Sequence, residues 1–167
     1  YNKLGQLAEV NFFIKKRLDE KRVFTNNSNS SDLKILDGYG AVKYTQKYLF
    51  NASDKVLQES TVMPDNTESQ RLEYTYDNKN NMLSETKYLK GKLIYKIFYV
   101  YRGNLLTEMY KEGADGVKFQ IAKYVYDAAG NMIEAQTRED AKKDFSKSIY
   151  TYDKNNLCKT IDSYFAK

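Results

Sequence analysis

Few side-chain types in this sequence could do covalent or acid-base chemistry. The 167-residue chain has no His and one Cys, alongside 22 Asp and Glu. A His-based triad, a His general base and a His-ligated metal centre are therefore excluded, and one Cys cannot form an internal disulfide. Carboxylate pairs of the glycosidase type stay open, but spacing singles out none. We nominate no catalytic residue and no cofactor, and we expect a protein that is not an enzyme.

The single cysteine, Cys158, occupies a position that apolar residues take in related segments, Leu83 in one and Ile133 in another. A thiol at such a position packs as a small hydrophobic group, whereas reactive thiols need an electropositive and partly exposed site. We expect Cys158 to be buried and unreactive.

Tyrosine is the characteristic residue, with 16 Tyr and no Trp. A Tyr-x-Tyr-Asp core recurs in YTYDNKNNMLSE from Tyr74, YVYDAAGNMIEA from Tyr124 and YTYDKNNLCKT from Tyr150, and weaker copies begin at Tyr1, Arg22, Tyr48 and Tyr99. Alternate residues of a β-strand share a face, so the two aromatic residues of each core form part of a ladder across a sheet. The candidate ladder residues are Tyr48, Tyr74, Tyr76, Tyr99, Tyr101, Tyr124, Tyr126, Tyr150 and Tyr152.

A tyrosine ladder of this kind has two uses. A half-buried ring supplies a large apolar area while its hydroxyl bonds to water or protein, so packing is the first use. Exposed rings also stack on sugars, peptides or bases, which makes the ladder a candidate ligand-binding surface. We expect a glycan or a protein as partner and no nucleic acid, because the interleaved acidic residues would repel a phosphate backbone.

The residues after each core predict hairpin turns. In the segment from Asp127 to Asn131, the Asp can accept bonds from amides ahead of it, and Gly130 can take the left-handed conformation of a type I turn with a bulge. Asn80 and Gly5 hold the Gly130 position in other copies, and Gly103-Asn104 and Asn155-Asn156 suit two-residue turns. The predicted turn-forming residues are Asp77, Asn80, Gly103, Asp127, Gly130 and Asp153.

Calcium or substrate binding is the alternative use of these Asp residues. Their spacing does not bring several carboxylates together as an EF-hand loop does, so we expect no metal site.

Aligned on the second aromatic residue, the copies recur about every 25 residues and fill the chain with about seven repeats. Turn signals also fall midway through most repeats, as at Leu18-Asp19-Glu20 and Asp37-Gly38. Each repeat is therefore a β-hairpin with strands of about 8–10 residues. We predict one all-β domain over residues 1–167, an antiparallel meander of about 13 strands, either an open curved sheet or closed like a barrel. A chain of this length predicts a sizeable core.

The net charge of +5 lies mostly in the early part of the chain, with its densest basic segment at Lys15-Lys16-Arg17. Nearby acidic residues favour a solvated turn there over a phosphate-binding patch. No run approaches the ~18 apolar residues of a membrane helix, and no signal peptide opens the sequence. Because residues 1–9 match the second half of a repeat, we expect that upstream residues, with a leader, have been removed.

The segments from Tyr74 and Tyr124 resemble the tyrosine-aspartate repeats of Rhs-type bacterial surface and toxin proteins. The matching positions are Tyr76-Asp77 with Asn81, Tyr126-Asp127 with Gly130-Asn131, and Tyr152-Asp153; Tyr101-Arg102 and Phe50-Asn51 depart from the pattern. The resemblance implies hairpins joined into a large β shell, although this chain is too short to enclose a cargo.

The Tyr content and degenerate repeats are also similar to secreted proteins of Bacteroides and related gut bacteria. That similarity implies a secreted, periplasmic or cell-surface protein. We hypothesise an exported, non-enzymatic binding or scaffolding module that takes a glycan or protein on an aromatic sheet face. The alternatives are a carboxylate-based glycoside hydrolase and a barrel-type protein associated with the outer membrane; polar residues on both strand faces argue against the barrel.

Overall fold

The computed structural model describes residues 7–165, and β-strands are the regular elements of this segment. Thirteen strands follow one another in chain order as one antiparallel meander, which confirms the predicted fold class and strand number. The strand order ends at β1 and β13, so within the described residues the sheet is not closed and the barrel-like alternative is wrong. The strands are β1 Glu9–Ile14, β2 Arg17–Asn26, β3 Ser30–Asp37, β4 Val42–Phe50, β5 Val56–Val62, β6 Glu68–Tyr76, β7 Met82–Leu89, β8 Lys92–Arg102, β9 Leu105–Gly113, β10 Lys118–Tyr126, β11 Met132–Thr137, β12 Ser146–Tyr152 and β13 Cys158–Tyr164.

The strands group into two compact units. The first unit comprises Tyr1–Asn80 and Glu85–Ile94, and the second comprises Asn81–Ser84 and Tyr95–Lys167. The single-domain prediction over 1–167 stays a prediction. The repeat predicted from Tyr1, with Gly5 in its turn, falls largely on residues 1–6, outside the described part of the chain.

An aspartate organises the turn between β10 and β11. The Asp127 Oδ1 atom accepts bonds from the backbone N–H groups of Ala129 and Asn131, both at 2.9 Å, and Asn131 Nδ2 donates to its Oδ2 at 3.0 Å. Gly130 takes φ +88°, a left-handed conformation that glycine adopts readily. The bonds from Asn131 and the backbone lower the pKa of Asp127, so the turn holds the carboxylate as an anion.

Asp77 and Asp153 hold the corresponding positions. Asp77 Oδ1 accepts from the Lys79 amide at 2.8 Å, and Asn80 takes φ +63° in the place of Gly130. Asp153 Oδ1 accepts from the Leu157 amide at 3.0 Å. Asp and Asn therefore set the hairpin turns by local hydrogen bonding and by tolerance of positive φ.

Two turn predictions are wrong. Asn155-Asn156 do not form a two-residue turn, because β12 and β13 are joined by a longer loop with Tyr152 opposite Cys158. Leu18-Asp19-Glu20 lie within β2, and the turn before β2 is formed by Lys15 and Lys16 at φ +47° and +68°. Gly103-Asn104 does form the two-residue link between β8 and β9.

The interior contains little dry core. Among residues 7–165 no large side chain is fully buried, so the expected sizeable core is absent from this segment. The most buried residues are Ile35, Ser60, Ser84, Ala122 and Ala135, and most other strand residues are half-buried. Backbone pairing and half-buried ring contacts therefore do much of the stabilising here.

Candidate functional site

All nine candidate ladder tyrosines are half-buried and lie on β4, β6, β8, β10 and β12. In the second unit, cross-strand pairing places Tyr99 opposite Met109, Tyr124 opposite Ala135 and Tyr150 opposite Ile161. Because the register of β8–β13 carries these pairs to one side of the sheet, we call that side of the second unit the tyrosine face.

The second tyrosine of three cores donates its hydroxyl to a backbone carbonyl of the preceding strand. The acceptor is 20 residues upstream in each case. We call this contact the tyrosine staple. The three staples are Tyr76 to Val56 O at 2.8 Å, Tyr126 to Leu106 O at 2.8 Å and Tyr152 to Met132 O at 2.7 Å.

The staple spans a gap in the backbone pairing. Pairing between β11 and β12 ends at Glu134 opposite Ile149, three residues before Tyr152. The β9–β10 and β5–β6 pairs end at the same distance before Tyr126 and Tyr76. A phenolic hydroxyl on a long, rigid side chain thus supplies a cross-strand hydrogen bond beyond the end of the backbone register.

Partial burial keeps these hydroxyls in the protonated form that can donate. Burial raises the pKa of Tyr76, of Tyr126 and of Tyr152 above the usual value for tyrosine. The neutral phenol is therefore the form present at ordinary pH.

The first tyrosine of a core meets weaker partners. Tyr124 donates to the thioether Sδ of Met109 at 3.6 Å, and Tyr48 donates to Gln46 Oε1 at 3.3 Å. A thioether is a weak acceptor, so the Tyr124 hydroxyl gains little from this contact. Burial, and after it the charge interaction with Tyr150, raises the pKa of Tyr124. The register places both tyrosines on the tyrosine face, on either side of β11.

The strand residues of the tyrosine face are uncharged from β10 to β13. Small residues separate the rings, and Ala122 and Ala135 are buried between them. Ser148 Oγ lies 3.2 Å from Ser163 Oγ. The register places on this face Ala122, Tyr124, Tyr126, Met132, Ala135, Thr137, Ser146, Ser148, Tyr150, Tyr152, Cys158, Ile161 and Ser163.

Charged residues of the same strands occupy the opposite face. Lys147 Nζ lies 2.8 Å from Glu134 Oε2, and Gln136 Nε2 donates to Glu134 Oε1 at 2.6 Å. These two bonds, that from Lys147 first, lower the pKa of Glu134. Lys118 Nζ lies 4.0 Å from the ring centre of Phe98 on this face. From β10 to β13 the sheet therefore separates an uncharged side, which carries the tyrosines, from a charged side.

Cys158 is exposed, so the prediction of a buried thiol is wrong. Its strand, β13, lies at the end of the strand order, whereas Met132, which pairs with Tyr126 as Cys158 pairs with Tyr152, is half-buried on the inner strand β11. Within residues 7–165, no group of three or more His, Cys, Asp or Glu side chains is arranged to hold a metal ion.

The predicted turn residues lie at the hairpin ends, and the tyrosines lie within and at the ends of the strands. Sequence reasoning named both sets of residues as candidates but missed the carbonyl acceptors of the staple. The available signal was the apolar residue that stands 20 positions before the second Tyr in each of the three cores, Val56, Leu106 or Met132. Periodicity alone did not identify the hydroxyl as a cross-strand donor.

Solved structures with a similar chain path include a porin-like protein from Bacteroides uniformis. It is 12% identical with a TM-score of 0.40, over 100% of this chain and 88% of that chain. A TcdB2-TccC3-Cdc42 structure is 10% identical with a TM-score of 0.28, over 93% of this chain and 13% of that chain. No protein-family model and no curated protein matches the chain. Helices with the length and apolarity of a membrane span are absent from the described part of the chain.

Proposed function

We propose that this chain is an exported, non-enzymatic β-repeat protein that binds a neutral glycan on the tyrosine face of the second unit. The proposal includes the identity of its repeats as tyrosine-aspartate repeats, and a secreted, periplasmic or cell-surface location. The sequence resemblance supports these last two points.

One observation carries the glycan assignment: half-buried Tyr124 and Tyr150 lie on the same face, on either side of β11, and the residues that the register places on this face from β10 to β13, Ser148 and Ser163 among them, are uncharged. Sugars combine C–H faces, which pack on aromatic rings, with hydroxyls, which bond to small polar groups. A tyrosine ring with its hydroxyl offers both contacts. A neutral ligand also avoids the free-energy cost of bringing a charge onto an uncharged surface.

The electrostatics of Glu134, a carboxylate of the same strands, do not suit it to the acid role in glycoside hydrolysis. A glycosidase needs a carboxylic acid whose pKa is raised so that it can protonate the leaving oxygen. The pKa of Glu134 is instead lowered by Lys147 and Gln136, and this residue lies on the face opposite the tyrosines. Glu134 is therefore suited to ion pairing.

An array of neutral oligosaccharides, followed by calorimetry on the best ligand, tests the proposal. We expect Tyr124→Ala and Tyr99→Ala to weaken binding on the order of 10-fold or more, since an aromatic stacking contact with a nucleobase contributes about 1–3 kcal/mol. Tyr39→Ala is the matched control, because Tyr39 is 82% exposed at the β3–β4 turn, away from the ladder. Its binding should equal that of the wild type.

Thermal unfolding of the same variants separates recognition from packing. If the wild type binds no neutral glycan, and both ladder variants only lose stability, the rings serve packing and the proposal fails. Fractionation of the source cells tests the location: recovery of the full-length protein in the cytosol alone would contradict export.

A further inference from the structure

A groove on the first unit lies among three inner strands. Its volume is about 640 Å³, within the range of small-molecule sites, and residues of β3, β4 and β5 form it together with the β3–β4 and β5–β6 turns. Each of these strands is paired on both sides, so the groove does not depend on an edge of the sheet. It lies on the face opposite Tyr44 and Tyr48, because Thr45 and Lys47 of its lining alternate with these tyrosines along β4.

Two lysines line the groove without an acidic partner. Lys34 lies opposite Thr45, and Lys47 stands two residues further along the same strand. Diagonal neighbours of this kind are about 7–8 Å apart, within reach of long side chains. Asp32 lies directly opposite Lys47, yet the ion pairs among the described residues include neither lysine. Both ammonium groups are therefore available to a ligand.

The acidic residues of the neighbouring strand β6 are already engaged. The pairing of Ser60 with both Lys47 and Arg71 places Arg71 on the same face as the groove. Arg71 Nε lies 3.1 Å from Glu73 Oε1 and 3.8 Å from Glu68 Oε1. These two carboxylates therefore compensate the guanidinium and do not neutralise the lysines of the groove.

One wall of the groove is aliphatic and held in place by its turn. Val42, Met63 and Pro64 supply this apolar surface. Pro64 is the sole proline of the sequence, and its ring fixes the backbone φ angle. The Met63 amide donates to Thr67 O and the Asn66 amide to Met63 O, both at 2.9 Å. The wall is thus a preformed surface for an apolar group.

We propose that this groove binds a small aliphatic carboxylate. A carboxylate accepts hydrogen bonds from both ammonium groups, and the Thr45 hydroxyl stands beside them as a further donor. Two Lys against one Asp leave the lining with a net charge of +1, which matches a monoanion better than a phosphate dianion. The described lining residues include no aromatic ring on which a sugar would stack, so the aliphatic wall favours an aliphatic body.

NMR titration of the intact chain with octanoate tests the ligand chemistry, with octanol as the neutral analogue. We expect octanoate to bind at millimolar concentration or below, and octanol at least about 10-fold more weakly because it lacks the charge. Glucuronate carries the same carboxylate on a sugar and should also bind more weakly than octanoate. Equal binding of octanol would reduce the groove to an apolar patch, and tighter binding of glucuronate would assign it to acidic sugars; either result overturns the proposal.

Charge variants of the groove should have effects of opposite sign. Lys34→Gln and Lys47→Gln should each weaken octanoate binding about 5-fold, because each removes a charge-assisted hydrogen bond. Asp32→Asn should tighten binding about 2-fold, since it removes a repulsive charge. Lys55→Gln is the matched control, because Lys55 is an exposed lysine of the β4–β5 turn, outside the groove, and should leave binding unchanged.

Four further results would overturn the proposal: wild-type affinity in both lysine variants, weaker binding after Asp32→Asn, amide shifts confined to strands other than β3–β5, or no binding of octanoate at millimolar concentration. Both lysines are exposed, so their replacement should leave the thermal unfolding midpoint unchanged and the binding data interpretable. The groove belongs to the first unit and the proposed glycan site to the second, so the two proposals can fail separately.

Discussion

The second aromatic residue of a repeat, here called the signature position, is phenylalanine in one region of the molecule and tyrosine in another. The two regions differ in how far the backbone pairing with the preceding strand extends. At Phe24 and Phe50 the backbone bonds reach the aromatic residue itself: the Phe24 amide donates to Ala8 O and the Phe50 amide to Asn29 O, both at 2.8 Å. In β10 and β12 the pairing with the preceding strand ends three residues before the signature tyrosine.

The comparison indicates where the tyrosine hydroxyl contributes a hydrogen bond that phenylalanine lacks. Where the backbone closes the end of a strand pair, an apolar ring is sufficient, and Phe50 stacks on Tyr48 with ring centres 6.4 Å apart. Where the backbone leaves a gap, the hydroxyl of Tyr126 or Tyr152 closes it. The choice between Phe and Tyr therefore follows the length of the backbone pairing.

Removal of the whole ring should have the largest effect and should affect both regions. We expect Phe50→Ala and Tyr126→Ala each to lower the free energy of unfolding by about 2–4 kcal/mol, because packing is lost in both. Tyr126→Ala should exceed Phe50→Ala by about 1 kcal/mol, since it also removes the staple. Urea denaturation measures both values, and a larger loss for Phe50→Ala would break the comparison.

Exchange of the hydroxyl alone sharpens the comparison. Tyr126→Phe should lower the free energy of unfolding by about 1 kcal/mol, because the Leu106 carbonyl loses its donor. The reverse change, Phe50→Tyr, should alter the free energy of unfolding by less than about 0.5 kcal/mol, because the backbone pairing already extends to residue 50. The same denaturation assay applies. A clear gain for Phe50→Tyr would show that the staple does not depend on a backbone gap.

Alkaline pH should weaken the stapled region. Burial raises the pKa of Tyr126 in the folded chain, so its contribution to stability is complete below the unfolded value of about 10 and is lost as pH rises through the folded pKa. Tyr126→Phe should reduce this loss between pH 9 and 12, while Phe50→Tyr should not. Stability of the variants at stepped alkaline pH provides the measurement; an unchanged profile for Tyr126→Phe would contradict it.

The smallest effect concerns the turns. Asn51 Oδ1 accepts from the Ser53 and Lys55 amides at 2.9 and 3.0 Å, the role that Asp127 has in the β10–β11 turn. Since the folded pKa of Asp127 is lowered, its stabilisation is present above the unfolded pKa of about 4 and is lost as pH falls through the folded value.

We therefore expect the amide resonance of Asn131 to move as pH falls from 6 to 2, while that of Lys55 stays comparatively constant. Asp127→Asn should abolish most of the movement at Asn131. Persistence of the full shift in that variant would assign it to another titrating group.

Part of the site followed from local chemistry. The period of the aromatic cores, the Asp residues of the turns and the left-handed conformations of Asn80 and Gly130 depend on a few consecutive residues, so the sequence was sufficient. The predictions that failed depend on which residues lie next to a segment in the folded chain. The residue pattern predicts a turn at Glu20, yet this residue lies within β2 with Arg22 Nε 2.8 Å from its Oε1, and Lys15 with Lys16 form the turn without glycine.

By itself the sequence determined an antiparallel meander of hairpins, because strand alternation and turn geometry are short-range properties repeated at a constant period. Tertiary structure decided where the backbone pairing between hairpins ends, and hence which tyrosine hydroxyls act as staples. It also decided that Cys158 is exposed. Both outcomes depend on which strand lies alongside, and a local pattern of residues carries no information about the neighbour of an edge strand.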